Sequence, residues 1–252
     1  MKRLVDLLRI NEVRFTAIVL SVMTIGAVIS LRGNLMSGGA VPCMYDIYLV
    51  GVMHVVSTFC VPFALFYILF VERYNQRPMQ VIREGRVINV WKRSVVDLFI
   101  LTVFFTLYVF VLTTIAGLVL TDRFYNWNEL NSRCMAWSGR ICEEQPSFVL
   151  LLISYIVETF ETFLAAGIIM LGVWWGTNKE WAGYLASIAL ITVDKAGVCD
   201  GIIFSKYYIA GATYKKGLSI SNNVIYPLLA AIIVFALVNV LVRFKKKEFL
   251  GS

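Results

Sequence analysis

SFVLLLISYIVETFETFLAAGIIMLGVWW, Ser147 to Trp175, is long and apolar enough to cross a bilayer, which takes about 20 mainly apolar residues. Only Glu158 and Glu161 interrupt it with charge. The whole chain has the same character: 59% hydrophobic residues, 15% charged and a mean hydropathy of +0.76. A soluble domain carries roughly a quarter charged residues. The expected class is an all-α, polytopic membrane protein. No polar stretch is long enough for a separate soluble domain, so residues 1–252 read as a single transmembrane domain.

Five further segments resemble the first. The spans are placed at Phe15–Leu31, Tyr45–Val71, Val95–Leu120, Ser147–Trp175, Trp181–Val198 and Val224–Val242. The fifth is the weakest, because its clean apolar run, Ala182 to Val193, ends at Asp194 and Lys195. Basic residues are retained on the cytoplasmic side. Six spans with both termini cytoplasmic put 15 of the 23 Lys and Arg residues inside and 8 outside. That asymmetry also accounts for the net charge of +7, so no nucleic-acid partner is expected. Trp91, Trp174, Trp175 and Trp181 are expected at the inner interface, and Tyr125, Trp127 and Tyr226 at the outer one. The N-terminus, MKRLVDLLRINEVRF, has charges at Asp6, Arg9, Glu12 and Arg14 and no small-residue cleavage site. It reads as a cytoplasmic amphipathic lead-in, not a signal peptide.

Three loops carry features beyond connection. The inner loop Val71–Ser94 places Met79, Ile82 and Val87 among Arg83, Glu84 and Arg86 after Pro78. This pattern suits a short amphipathic helix lying on the membrane, or a basic loop that enforces topology and touches anionic lipid headgroups. The outer loop Thr121–Pro146 holds Cys134 and Cys142 around a Ser138–Gly139 turn, and a disulfide between them is expected to stiffen an extracellular cap. Cys60 and Cys199 read as packing residues. Between Thr192 and Asn223, the apolar piece IIFSKYYIAGA is too short to cross and return. It is expected as a re-entrant hairpin on the outer side, the alternative being an ordinary loop.

Within the fourth span, Ser154, Glu158 and Glu161 are spaced by four and three, with Thr162 beside them. They form a polar stripe on one helix face. A carboxylate at mid-bilayer costs about 2.5–3.5 kcal/mol even on insertion scales, so the stripe must face protein or a water-filled cavity. Two functions stay open: lining a path for a cationic or amphipathic substrate, or pairing with buried donors such as Lys195, His54 or another subunit. His54, the only histidine, reads as a packed residue. No metal cluster is legible, and no nucleophile and base can be paired for an intramembrane enzyme. The phosphate-binding loop that ATP hydrolysis requires is absent from the sequence. Energy is therefore expected from a partner or a gradient.

The stretch RPMQVIREGRVINVWKRS, Arg77 to Ser94, the non-spanning apolar piece after the fifth span, and the ending VRFKKKEF together resemble the permease subunit of type-2 ABC exporters, of the small bacterial kind that handles bacteriocins or antimicrobial peptides. The resemblance implies that Pro78, Met79, Ile82, Arg83, Gly85 and Arg86 form a coupling helix against a separate ABC ATPase subunit. ATP and magnesium would belong to that partner, with no cofactor bound by this chain. It also implies a second permease, identical or related, a peptide or lipid-like substrate, and a place in the bacterial cytoplasmic membrane. Other classes compete: a stand-alone membrane immunity or sensor protein, or an ion-coupled carrier using Glu158 and Glu161.

Overall fold

The computed structural model describes residues 13–36, 39–76, 87–142, 145–195, 204, 213–214 and 218–244. These residues are helical throughout their ordered elements, with no strand among them. Helix α1 is Val13–Leu35. One continuous helix follows, made of α2 (Met44–Val50), a π-helix π1 (Gly51–Cys60) and α3 (Val61–Asn75). Then come α4 (Val87–Leu120), the short α5 (Arg133–Ser138), α6 (Phe148–Thr177) and α7 (Glu180–Lys195). A second π-helix, π2 (Ser221–Ile225), leads into α8 (Tyr226–Phe244).

Five helices are long and apolar enough to cross a membrane: α1, the π1–α3 helix, α4, α6 and the π2–α8 helix. This is the pattern of a multi-pass membrane protein. The expected fifth span, Trp181–Val198, falls on α7, whose 16 described residues rise about 24 Å, short of the roughly 30 Å hydrocarbon core. The expected re-entrant hairpin, apart from Phe204, lies outside the described residues. So do the lead-in up to Glu12 and the expected coupling helix, Pro78, Met79, Ile82, Arg83, Gly85 and Arg86.

Helix α6 is the hub. It packs against α4, α7, α8, α3 and π1, and more than half of its most apolar window is buried, against 17% for α8. Small residues make this close packing feasible, since helix association in lipid depends on near contact of backbones. A Cβ at Gly167 would strike Leu98 of α4, and one at Gly172 would strike Val238 of α8. One at Gly183 of α7 would meet the carbonyl oxygen of Met170. Ser187 of α7 donates to the Ala166 carbonyl at 2.9 Å, fixing an antiparallel register. The α6–α7 turn is tight because Asn178 adopts φ +59° and its N–H caps the Trp174 carbonyl at 2.8 Å; asparagine tolerates this left-handed conformation better than most residues.

The bundle has two distinct ends. At the cap end, Arg133 donates to the carbonyls of Asn34 and Leu35, closing the C-terminus of α1. Beside it, Trp127, Tyr45, Tyr48, Tyr155 and Tyr214 join one aromatic cluster. Trp127 is fully buried there. The opposite end holds the Arg73–Glu180 ion pair, the Trp91–Trp175 edge contact, and a 2.9 Å hydrogen bond from Trp91 Nε1 to Asn239. It is called the basic end below.

The expected Cys134–Cys142 disulfide is not formed, and both are free thiols. Cys134 lies in the first turn of α5 with its Sγ near Ser138 Oγ, the Arg140 carbonyl and the Tyr214 carbonyl. The predicted turn does exist, with Gly139 at φ +69° ending α5. Hydrogen bonds close the loop in place of a covalent link: Cys142 N–H to the Trp127 carbonyl at 2.9 Å and Tyr125 Oη to the Cys142 carbonyl at 3.2 Å.

Candidate functional site in the membrane core

The stripe on α6 faces protein. Ser154, Glu158, Glu161 and Thr162 are each at most 2% exposed. Ser154 Oγ donates to Glu158 Oε1 at 2.6 Å. Thr162 Oγ1 reaches the Glu158 carbonyl at 2.7 Å and Glu161 Oε2 at 3.3 Å. The four residues therefore form one bonded group, as their spacing predicts.

Two residues that the sequence did not single out complete the group. Asn223, buried in π2, lies near enough to Glu158 to act on its carboxyl electrostatically. Asn223 Nδ2 also donates to Thr213 Oγ1 at 3.0 Å, and its Oδ1 accepts the Ser219 N–H at 3.0 Å. Polar groups thus follow one another from Thr213 and Ser219 through Asn223 toward Glu158 and Ser154. From the other side, the register set by Ser187 and Ala166 brings the end of α7, with buried Asp194, level with Thr159 and Glu158. The expected donor Lys195 ends α7. His54 is half buried in π1, away from this group along the chain.

The neighbouring seam is also polar. On α4, Thr102, Thr106 and Thr113 are buried on one face. Thr113 Oγ1 and Tyr155 Oη are hydrogen-bonded at 2.7 Å, while Thr102 Oγ1 and Thr106 Oγ1 have no hydrogen-bond partner. Gly51 opens π1 against Thr113 and Tyr155. The π winding ends at Cys60, two residues before Pro62. A proline breaks the regular helical ladder and crowds the carbonyl four residues earlier, and the mismatch falls at the junction of two windings. Wide turns of this kind are frequent at functional sites.

Chemically, the site can hold a proton or a cationic group between carboxylates that are screened from lipid and from bulk water. Two carboxylates one turn apart repel when both are ionised, so a cation or proton relieves the pair. The described residues contain no group of three His, Cys, Asp or Glu side chains arranged to hold a metal ion.

A second site lies at the basic end, around the stems of residues 77–86. Ser94 Oγ donates to Glu72 Oε1 at 2.6 Å, and both side chains are buried. Gln76 Nε2 reaches the same oxygen at 2.8 Å. Arg73 forms a two-pronged bond with Glu180 and lies 5.3 Å from the Phe70 ring centroid. Neither the Ser94–Glu72 nor the Arg73–Glu180 bond is legible in the sequence, because the partners are separated by 22 and 107 positions.

Comparison with protein-family models, curated proteins and solved structures returns no match for this chain.

Proposed function

We propose that the chain is the membrane-spanning permease subunit of an ATP-driven ABC transporter. It works with a soluble ATPase subunit, which binds ATP and magnesium, and with a second permease, identical or related. Its substrate is a peptide or lipid-like molecule of the bacteriocin or antimicrobial-peptide class, exported or cleared across a bacterial cytoplasmic membrane with both chain termini inside.

The observation that carries this reading is the brace beneath residues 77–86. Both stems of that loop are joined by the buried Glu72–Ser94 bond, and the α3 stem is tied to the start of α7 by Arg73 and Glu180. A load applied at Pro78, Met79, Ile82, Arg83, Gly85 and Arg86 would reach α3, α4 and α7 together instead of being lost in a flexible connector. That is what coupling of ATPase closure to helix movement needs. On this reading Ser154, Glu158, Glu161 and Thr162 belong to the substrate path in a closed conformation.

A second reading, an ion-coupled carrier, draws on the full burial of Glu158 and Glu161. The experiment that separates the two is affinity purification of the tagged chain from its native membrane in mild detergent, with ATP hydrolysis assayed in the eluate. Recovery of an ATPase that is lost in the Arg83→Ala/Arg86→Ala variant supports the permease reading. Reproducible absence of ATPase from the wild-type eluate turns the assignment to the carrier.

A further inference from the structure

We infer that the groove between α6 and α8 at the basic end binds one acyl chain of an anionic phospholipid, with its headgroup at Arg243. The two helices run parallel and touch where Val238 packs against Gly172. One turn further on they part. A Cβ at Gly176 would meet nothing within 4 Å, and the gap is a groove of about 270 Å³ lined by Trp175, Gly176, Val238 and Leu241 among other apolar side chains. It falls below the roughly 300–1,000 Å³ of a drug-sized ligand site, a size that suits a single chain.

Three observations select the occupant. The groove opens sideways on the membrane, because Leu237, Val240 and Leu241 of the same helix are each at least half exposed. Its depth is that of a headgroup boundary, since Trp91, Trp175 and Asn239 meet there and tryptophan favours that level. Its rim is cationic: Arg243 is exposed in the last turn of α8 and Lys179 is exposed just beyond α6. Glu180, the carboxylate that follows Lys179, is already bonded to Arg73. An apolar slot beneath Arg243 and Lys179, which pair with no carboxylate among the described residues, is complementary to an anionic lipid, not to a zwitterionic one. This site does not depend on the transport assignment.

The test is native mass spectrometry of the purified full chain in detergent, titrated with phosphatidylglycerol or with phosphatidylcholine of identical acyl chains. The wild type is expected to retain one phosphatidylglycerol about fivefold more tightly than phosphatidylcholine, the preference one basic residue at a membrane surface supplies. Arg243→Gln, at an exposed helix end, should lower that preference. Gly176→Leu, which fills the groove without an initial clash, should weaken retention of both lipids. Thermal melting establishes that each variant is folded, and if Gly176→Leu is not, Arg243→Gln decides alone. Equal retention of the two lipids by the wild type, or an undiminished preference in Arg243→Gln, overturns the inference. Conversion of a dimer to a monomer by Gly176→Leu with lipid retention unchanged also overturns it, because a second copy of the chain would then fill the groove.

Discussion

Asp46 shows how a single carboxylate organises the cap end. It is fully buried in the first turn of α2. Its oxygens accept the Cys43 N–H at 2.9 Å, Trp127 Nε1 at 2.8 Å and Tyr214 Oη at 2.8 Å. Burial pushes the neighbouring Cys43 thiol and Tyr214 phenol up in pKa, so both stay neutral near pH 7. Trp127→Phe leaves the buried Asp46 acceptor short of one bond, at a cost of about 1–3 kcal/mol, readable as a lower melting temperature in thermal unfolding. An unchanged melting temperature would show that the Trp127 bond does not hold the cap.

At the scale of elements, α6 and α7 illustrate how packing at a glycine replaces length. Helix α7 is too short to span by itself, yet Gly183 lets it rest on the Met170 carbonyl of α6. Gly183→Val places a branched side chain against rigid backbone. It should destabilise the hairpin by about 1–3 kcal/mol, the usual range for overpacking, and thermal unfolding in detergent checks this. The Arg73–Glu180 pair that pins the other side of α7 is 40% and 27% exposed, so a double-mutant cycle should give a coupling of only about 0.2–1 kcal/mol. Its value lies in geometry more than in stability. The long helices were legible in the sequence because lipid demands uninterrupted apolar runs, and the weak fifth segment announced itself through Asp194 and Lys195. The π winding at Gly51–Cys60 was not legible, since the same apolar residues satisfy either winding. The capping of Cys43 by Asp46 escaped notice because cysteine is an unusual residue at that position. The Cys134–Cys142 expectation failed for a related reason: the turn at Gly139 was read correctly, but spacing does not reveal that hydrogen bonds through Trp127 and Tyr125 already close the loop.

For the whole molecule, the question is what the buried carboxylates couple to. The stripe Ser154–Glu158–Glu161–Thr162 was visible from its spacing, whereas Asn223 and Thr213 were not, because they enter from more than 50 positions away. Their arrival gives the group a direction. Polar groups lead from Thr213 and Ser219 through Asn223 toward Glu158, and the braced stems of residues 77–86 stand at the opposite end. If an ATPase drives the cycle, the energy enters at the brace and the carboxylates only shape the path. Glu158→Gln and Glu161→Gln would then alter which substrates pass, while transport remains dependent on nucleotide. If an ion gradient drives it, the carboxylates are the engine, and neutralising them abolishes transport outright. Reconstituted vesicles distinguish these by measuring uptake of a labelled cationic peptide with ATP and partner supplied, then with an imposed proton or sodium gradient. The permease assignment expects nucleotide-dependent uptake that survives in both Gln variants, with a reduced preference for cationic over neutral peptide. Uptake that follows the gradient in the wild type and vanishes in either variant would reject that assignment and make the Glu158–Glu161 pair the coupling site.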